Sequence, residues 1–129
     1  NDANLTLALP GSSNSLGLNN DIKVAKWIQE AYVKSVNRPN TNMTYGYDVT
    51  IYGDTMAVGA YLEKSKQRSI TNGSTAASDD TAYNGAVYVY TRDNTSSWSQ
   101  QAYIKPSNAQ QTSSFFTYFG FTISSCNSD

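Results

Sequence analysis

Two carboxylate pairs, Asp48 with Asp54 and Asp79 with Asp80, come closest in type and spacing to acid–base chemistry. Glycoside hydrolysis needs two carboxyls flanking a cleft at a defined separation, and nothing around these pairs suggests a cleft. A structural role is expected instead, with Asp54 bonding its neighbouring amides in a turn and the others solvated. Histidine is absent, which removes the usual general base, the Ser-His and Cys-His nucleophile pairs and the commonest transition-metal ligand. Cys126 is the single cysteine. It excludes an internal disulfide framework and a thiolate zinc site within one chain, and leaves an intermolecular bridge open. The chain reads as non-enzymatic.

Binding chemistry concentrates in the polar stretch from Glu63 to Asn84, which carries Lys64, Lys66, Arg68, Asn72, Asp79 and Asp80 without a durable apolar period. Loops of this length are uncommon and usually functional or mobile. Asp79, Asp80 and Asn84 group three oxygen-bearing side chains that could hold a hard cation such as calcium. The stretch lacks the spaced acidic pattern and its glycine, so an exposed, solvated loop is the plainer reading and no cofactor is expected. Sequons stand at Asn4, Asn42, Asn72 and Asn94, all in expected loops or ends, and sugar attachment is possible at each.

The elements that position these groups are written in a repeat. Trp27 opens WIQEAYVKSVN and Trp98 opens WSQQAYIKPSN, a second copy 71 positions later (98 − 27). Repetition at this period marks a chain of stacked units, and the unit suits a four-stranded sheet with one long loop. Tyr47–Tyr52 and Thr55–Ala60 alternate around Gly53-Asp54 and form an expected hairpin. Ala86–Thr91 combines β-branched and aromatic residues as a third strand, with both its tyrosine and its valine side expected to be buried. Trp98–Lys105, stopped by Pro106, is the fourth. Trp27–Lys34 then reads as the fourth strand of a preceding unit, and Phe119–Ser124, 74 positions after Tyr45 (119 − 45), as the first strand of a following one. Trp27 and Trp98 are expected to pack between units rather than stack on sugars, while Tyr45, Tyr47 and Tyr52 are expected nearer solvent.

From Trp27 to Ser124 the chain resembles the FG-GAP repeat family, the integrin-α-type β-propeller blades, and especially its bacterial extracellular members. The resemblance rests on Tyr45-Gly46, Gly53-Asp54, Gly59-Ala60-Tyr61, Gly85-Ala86-Val87-Tyr88-Val89 and Trp98 through Ala102. It implies an all-β fold built on an antiparallel four-stranded propeller blade with partial flanking blades. It also implies an extracellular or cell-surface module for adhesion or ligand recognition, with a protein or glycan as partner. The calcium loop that many members carry does not come with it, because Gly53-Asp54 is too short to wrap a cation.

The division expected is an N-terminal extension over 1–26 with a run at Asn4–Leu9 able to act as a donated strand, a blade with flanking partial repeats over 27–124, and a tail over 125–129. A propeller needs at least about four blades to close. The missing neighbours must therefore come from the rest of a longer protein, or from other copies by strand addition into a ring or filament. The 129-residue chain has nine Lys and Arg against ten Asp and Glu, with no basic stripe. Nucleic acid is not an expected partner, and no apolar run approaches a membrane span.

Overall fold

A computed structural model of the chain describes residues 27–37, 43–76, 82–112 and 116–126. Within them the protein is all-β and contains no helix. Its one sheet is antiparallel, with strands β1 (Val49–Tyr52), β2 (Thr55–Ala60), β3 (Ile70–Asn72), β4 (Ala86–Arg92) and β5 (Trp98–Ile104) in the order β1-β2-β4-β5-β3. Four of these are the meander expected from the alternating runs. The fifth, β3, corrects the reading of Glu63–Asn84 as strandless: the loop crosses to the far side of β5 and pairs Ile70 with Ile104 and Asn72 with Ala102.

Strand pairs place partner residues on a common face, so the registers sort the side chains. One face holds Val58, Ala60, Ala86, Tyr88, Tyr90 and Tyr103, the buried apolar core. The other holds Ala57, Gly59, Val87, Val89, Ala102 and Ile104, smaller side chains with Val89 only half-buried. An irregularity between Val89 and Tyr90 lets Gln101 bulge while Gln100 stays opposite Tyr90.

Neither flanking repeat forms a strand, which corrects the expectation for Trp27–Lys34 and Phe119–Ser124. Trp27 is 96% exposed, so it does not pack as Trp98 does. A strand needs a paired neighbour, and these segments lie across the faces of the sheet rather than beside an edge. The first covers the tyrosine face: Val33 packs on the core, where Met43 and Tyr45 from before β1 join it, and the Tyr90 hydroxyl donates to Lys34 O at 3.3 Å. Tyr45 is thus half-buried, its hydroxyl donating to that of Tyr90 at 2.7 Å, whereas Tyr47 and Tyr52 are exposed as expected.

The second segment lies on the small-residue face. Phe119 bridges Gly85 in parallel, Phe119 N donates to Asn84 O at 3.2 Å, and Ile123 N donates to Asp48 Oδ2 at 2.7 Å. Ser125, assigned to the tail by sequence, meets Thr50 Oγ1 at 2.7 Å. Glycine is required here, since a Cβ on Gly59 would stand 2.1 Å from Gly120 O and one on Gly85 2.0 Å from Phe119 O. At Gly59 and Gly120 both side chains are missing where backbone meets backbone, and at Gly85 one is.

Candidate functional site

One end of the sheet gathers the start of β1, the end of β2, the start of β4 and the C-terminal segment. Their aromatic residues form a continuous belt. Tyr47 and Phe121 lie 4.9 Å apart by ring centroid, Tyr61 stands edge-on to Phe121 at 5.1 Å, and Tyr118 is 5.8 Å from Tyr61. Phe116 stacks on Tyr118 at 5.5 Å and contacts Tyr83 at 5.1 Å, and the Lys64 ammonium sits 4.4 Å above the Tyr83 ring. Tyr61, Tyr118 and Phe121 line a shallow cavity of about 450 Å³. Tyr118 holds φ at +49°, a conformation that non-glycine residues seldom adopt and that clusters at ligand sites.

Sequence reasoning found Lys64 and missed the rings. Tyr61 follows Gly59-Ala60 at the end of β2 and Tyr118 precedes Phe119-Gly120, so the signal was an aromatic beside each glycine-containing corner. That signal is invisible until the two corners are known to meet.

Of the other loop cations, Arg68 is tied to the fold by its guanidinium and Lys66 by its backbone. Arg68 Nε donates to Ala109 O at 2.8 Å, and the Lys66 carbonyl accepts from Gln111 Nε2 at 3.2 Å. Asn72 is exposed at the end of the edge strand β3, and Asn94 is exposed in the turn between β4 and β5, so both sequons are accessible. Asn4, Asn42, Asp79 and Asp80 lie outside the described residues.

Asn84 is not a solvated loop residue. It is fully buried, its Nδ2 donates to the carbonyls of Ser65 and Gln110 at 2.8 and 3.0 Å, and its Oδ1 accepts from Gln110 N at 2.6 Å. These bonds use the side chain's donors and an acceptor site to tie the long loop to the chain after β5. Among the described residues no group of three acidic, cysteine or histidine side chains could hold a metal ion, and no helix is long and apolar enough to cross a membrane.

The opposite end is polar. Asp54 does not cap its own turn; it pairs with Arg92 at 2.7 Å, while Arg92 also reaches Glu30 at 3.2 Å. The Trp98 indole donates to Glu30 Oε1 at 2.9 Å, and this bond, ahead of the Arg92 contacts, holds the Glu30 carboxyl below its ordinary range. Asp93 accepts from Thr95 Oγ1 and from the Ser97 and Thr95 amides, which lowers its carboxyl likewise. Such exposed pairs are screened and orient the turn more than they stabilise it. Asp48 also departs from expectation, since its two oxygens bind Val49 N and Ile123 N.

A second cluster is interior. Glu63 is 1% exposed, Lys105 4% and Asn37 5%, and together with Tyr88 they form a connected polar group under residues 27–37. Burial raises the Tyr88 hydroxyl well above the ordinary phenol range, with the Glu63 charge adding to it, so Tyr88 is a proton donor. Sequence reasoning passed over this cluster because its members lie far apart along the chain. Its trace was the recurrence of Tyr32, Lys34 and Asn37 as Tyr103, Lys105 and Asn108. No family model matches the chain, and no curated protein or solved structure matches it.

Proposed function

We propose that the chain is a propeller-type blade of the FG-GAP kind, serving as a non-enzymatic adhesion or ligand-recognition module outside the cell. One observation carries this reading: the repeat text before the sheet lies on one face and the repeat text after it on the other. That is the placement demanded of a unit stacked between two neighbours. The ligand, a protein or glycan, would meet the aromatic belt and Lys64, where flat apolar rings rimmed by hydroxyls suit sugar faces and side chains alike. Phe121→Ala is expected to weaken binding by roughly thirtyfold, about 2 kcal/mol, in a glycan-array or surface-binding titration. Unchanged affinity in that variant and in Tyr118→Ala would remove the belt from the site.

A second reading, a structural subunit that self-assembles by strand addition, is favoured by the outer edge of β1. Val49, Ile51 and Tyr52 are exposed on an edge strand without charge, proline or bulge, the features that usually block edge pairing. Sedimentation should then show concentration-dependent association that Ile51→Lys abolishes. A monomer at high concentration argues for the recognition reading alone.

A further inference from the structure

Four buried side chains of complementary chemistry converge where the first repeat copy crosses the sheet. The Lys105 ammonium contacts Glu63 Oε2, Asn37 Nδ2 donates to Glu63 Oε1 at 3.0 Å, and the Tyr88 hydroxyl donates to Asn37 Oδ1. A single carboxylate therefore touches both an amine and the nitrogen of a carboxamide, while a phenol sits on that carboxamide's oxygen. As packing alone this is a costly arrangement, since well-fitted apolar side chains in place of a buried ion pair are often neutral or stabilising. As chemistry it has every part of an acyl transfer: nucleophile, proton carrier, electrophile and a donor for the developing oxyanion.

We infer that the folded chain forms an isopeptide bond between Lys105 and Asn37, with Glu63 carrying protons and Tyr88 stabilising the carbonyl oxygen. Glu63 first takes a proton from the Lys105 ammonium, which replaces an ion pair by two neutral groups, the exchange a dry interior favours. The freed Nζ lone pair attacks Asn37 Cγ, and the carbonyl electron pair moves onto Oδ1, held by the Tyr88 hydroxyl. Glu63 delivers its proton to Nδ2, the carbonyl re-forms and the Cγ–Nδ2 bond breaks. The second Nζ proton returns through Glu63 to the released ammonia, which departs as ammonium. One C–N bond replaces another, and no oxidant, reductant or second substrate enters.

The repeat gives the bond a purpose. Asn37 belongs to the first copy and corresponds to Asn108, while Lys105 belongs to the second and corresponds to Lys34. The bond therefore joins the lysine of one unit to the asparagine of the unit before it, stapling residues 27–37 to the tyrosine face. Successive units with the same text would be linked in series, and the linkage stands whether the module binds a ligand or assembles.

Intact-mass measurement of the folded full chain should read one ammonia below the sequence mass, and digestion should yield a branched peptide joining the surroundings of Lys105 and Asn37. Lys105→Arg and Glu63→Gln should read the full mass, and Tyr88→Phe should close the bond about a hundredfold more slowly. Cyclisation at Asn72-Gly73 also releases ammonia, so the branched peptide and not the mass decides. The inference is overturned by a folded chain at full mass, by a mass deficit without the branched peptide, or by a branched peptide that forms undiminished in Glu63→Gln. The peptide is read in the unaltered protein, so the result stands even where a variant fails to fold.

Discussion

Lys105→Met is expected to lower the free energy of unfolding by about 3–5 kcal/mol at neutral pH, a large share of the roughly 5–15 kcal/mol that holds a domain together. The cause is the partner left behind. Glu63 is buried and paired with Lys105, and methionine fills the space of the lysine stem without supplying a charge. Adding Glu63→Gln to the same chain should recover about half of the loss, because the carboxamide is neutral and its Oε1 can still accept from Asn37 Nδ2. Neither variant can form a bond between Lys105 and Asn37, so the recovery measures electrostatics alone. Urea unfolding of the single variant against the double, neither able to carry the cross-link, supplies the comparison. Equal stability of the single and double variants would mean that Glu63 already finds water or another donor.

Local chemistry made most of the sheet legible. Gly53-Asp54 between alternating runs and the polar residues Asp93–Ser96 before Trp98 mark two hairpins, which give the ladders β1–β2 and β4–β5, and the expected meander order adds β2–β4. Strand β3 was not legible, since Ile70 is the one apolar residue among Ser69, Thr71 and Asn72, and its pairing is supplied by the open edge of β5. The repeat misled in one respect. WIQEAYVKSVN and WSQQAYIKPSN share their text, yet only the second finds strands on both sides and becomes one. Context decided between them, as it does wherever β-propensity is tested against neighbours. The interior cluster and the aromatic belt escaped for a related reason: each joins residues from the long loop and from a flanking segment, and sequence order holds no trace of which face a flanking segment covers.

Gly85→Ala should detach the C-terminal segment while leaving β4 in place, at a cost of about 3 kcal/mol or more. Two effects add. Gly85 holds φ at +74°, where a Cβ costs roughly 1–2 kcal/mol, and that Cβ would also lie 2.0 Å from Phe119 O and 2.7 Å from Phe119 N. Both contacts are with backbone, so no side chain can swing aside, and the segment itself must lift. Gly46→Ala separates the two effects, because Gly46 has φ +84° with nothing within 4 Å of its added Cβ. It should show the conformational cost alone. Hydrogen exchange supplies the spatial readout: the amides of Phe119 and Ile123, bonded to Asn84 O and Asp48 Oδ2, should lose protection in Gly85→Ala and keep it in Gly46→Ala. Loss of the segment also removes Tyr118 and Phe121 from Tyr61, so the aromatic belt should fail as a binding surface in the same variant. Retained protection at Phe119 in Gly85→Ala would show that the C-terminal segment is seated by its side chains, and that the close approach of the two backbones is incidental to its position.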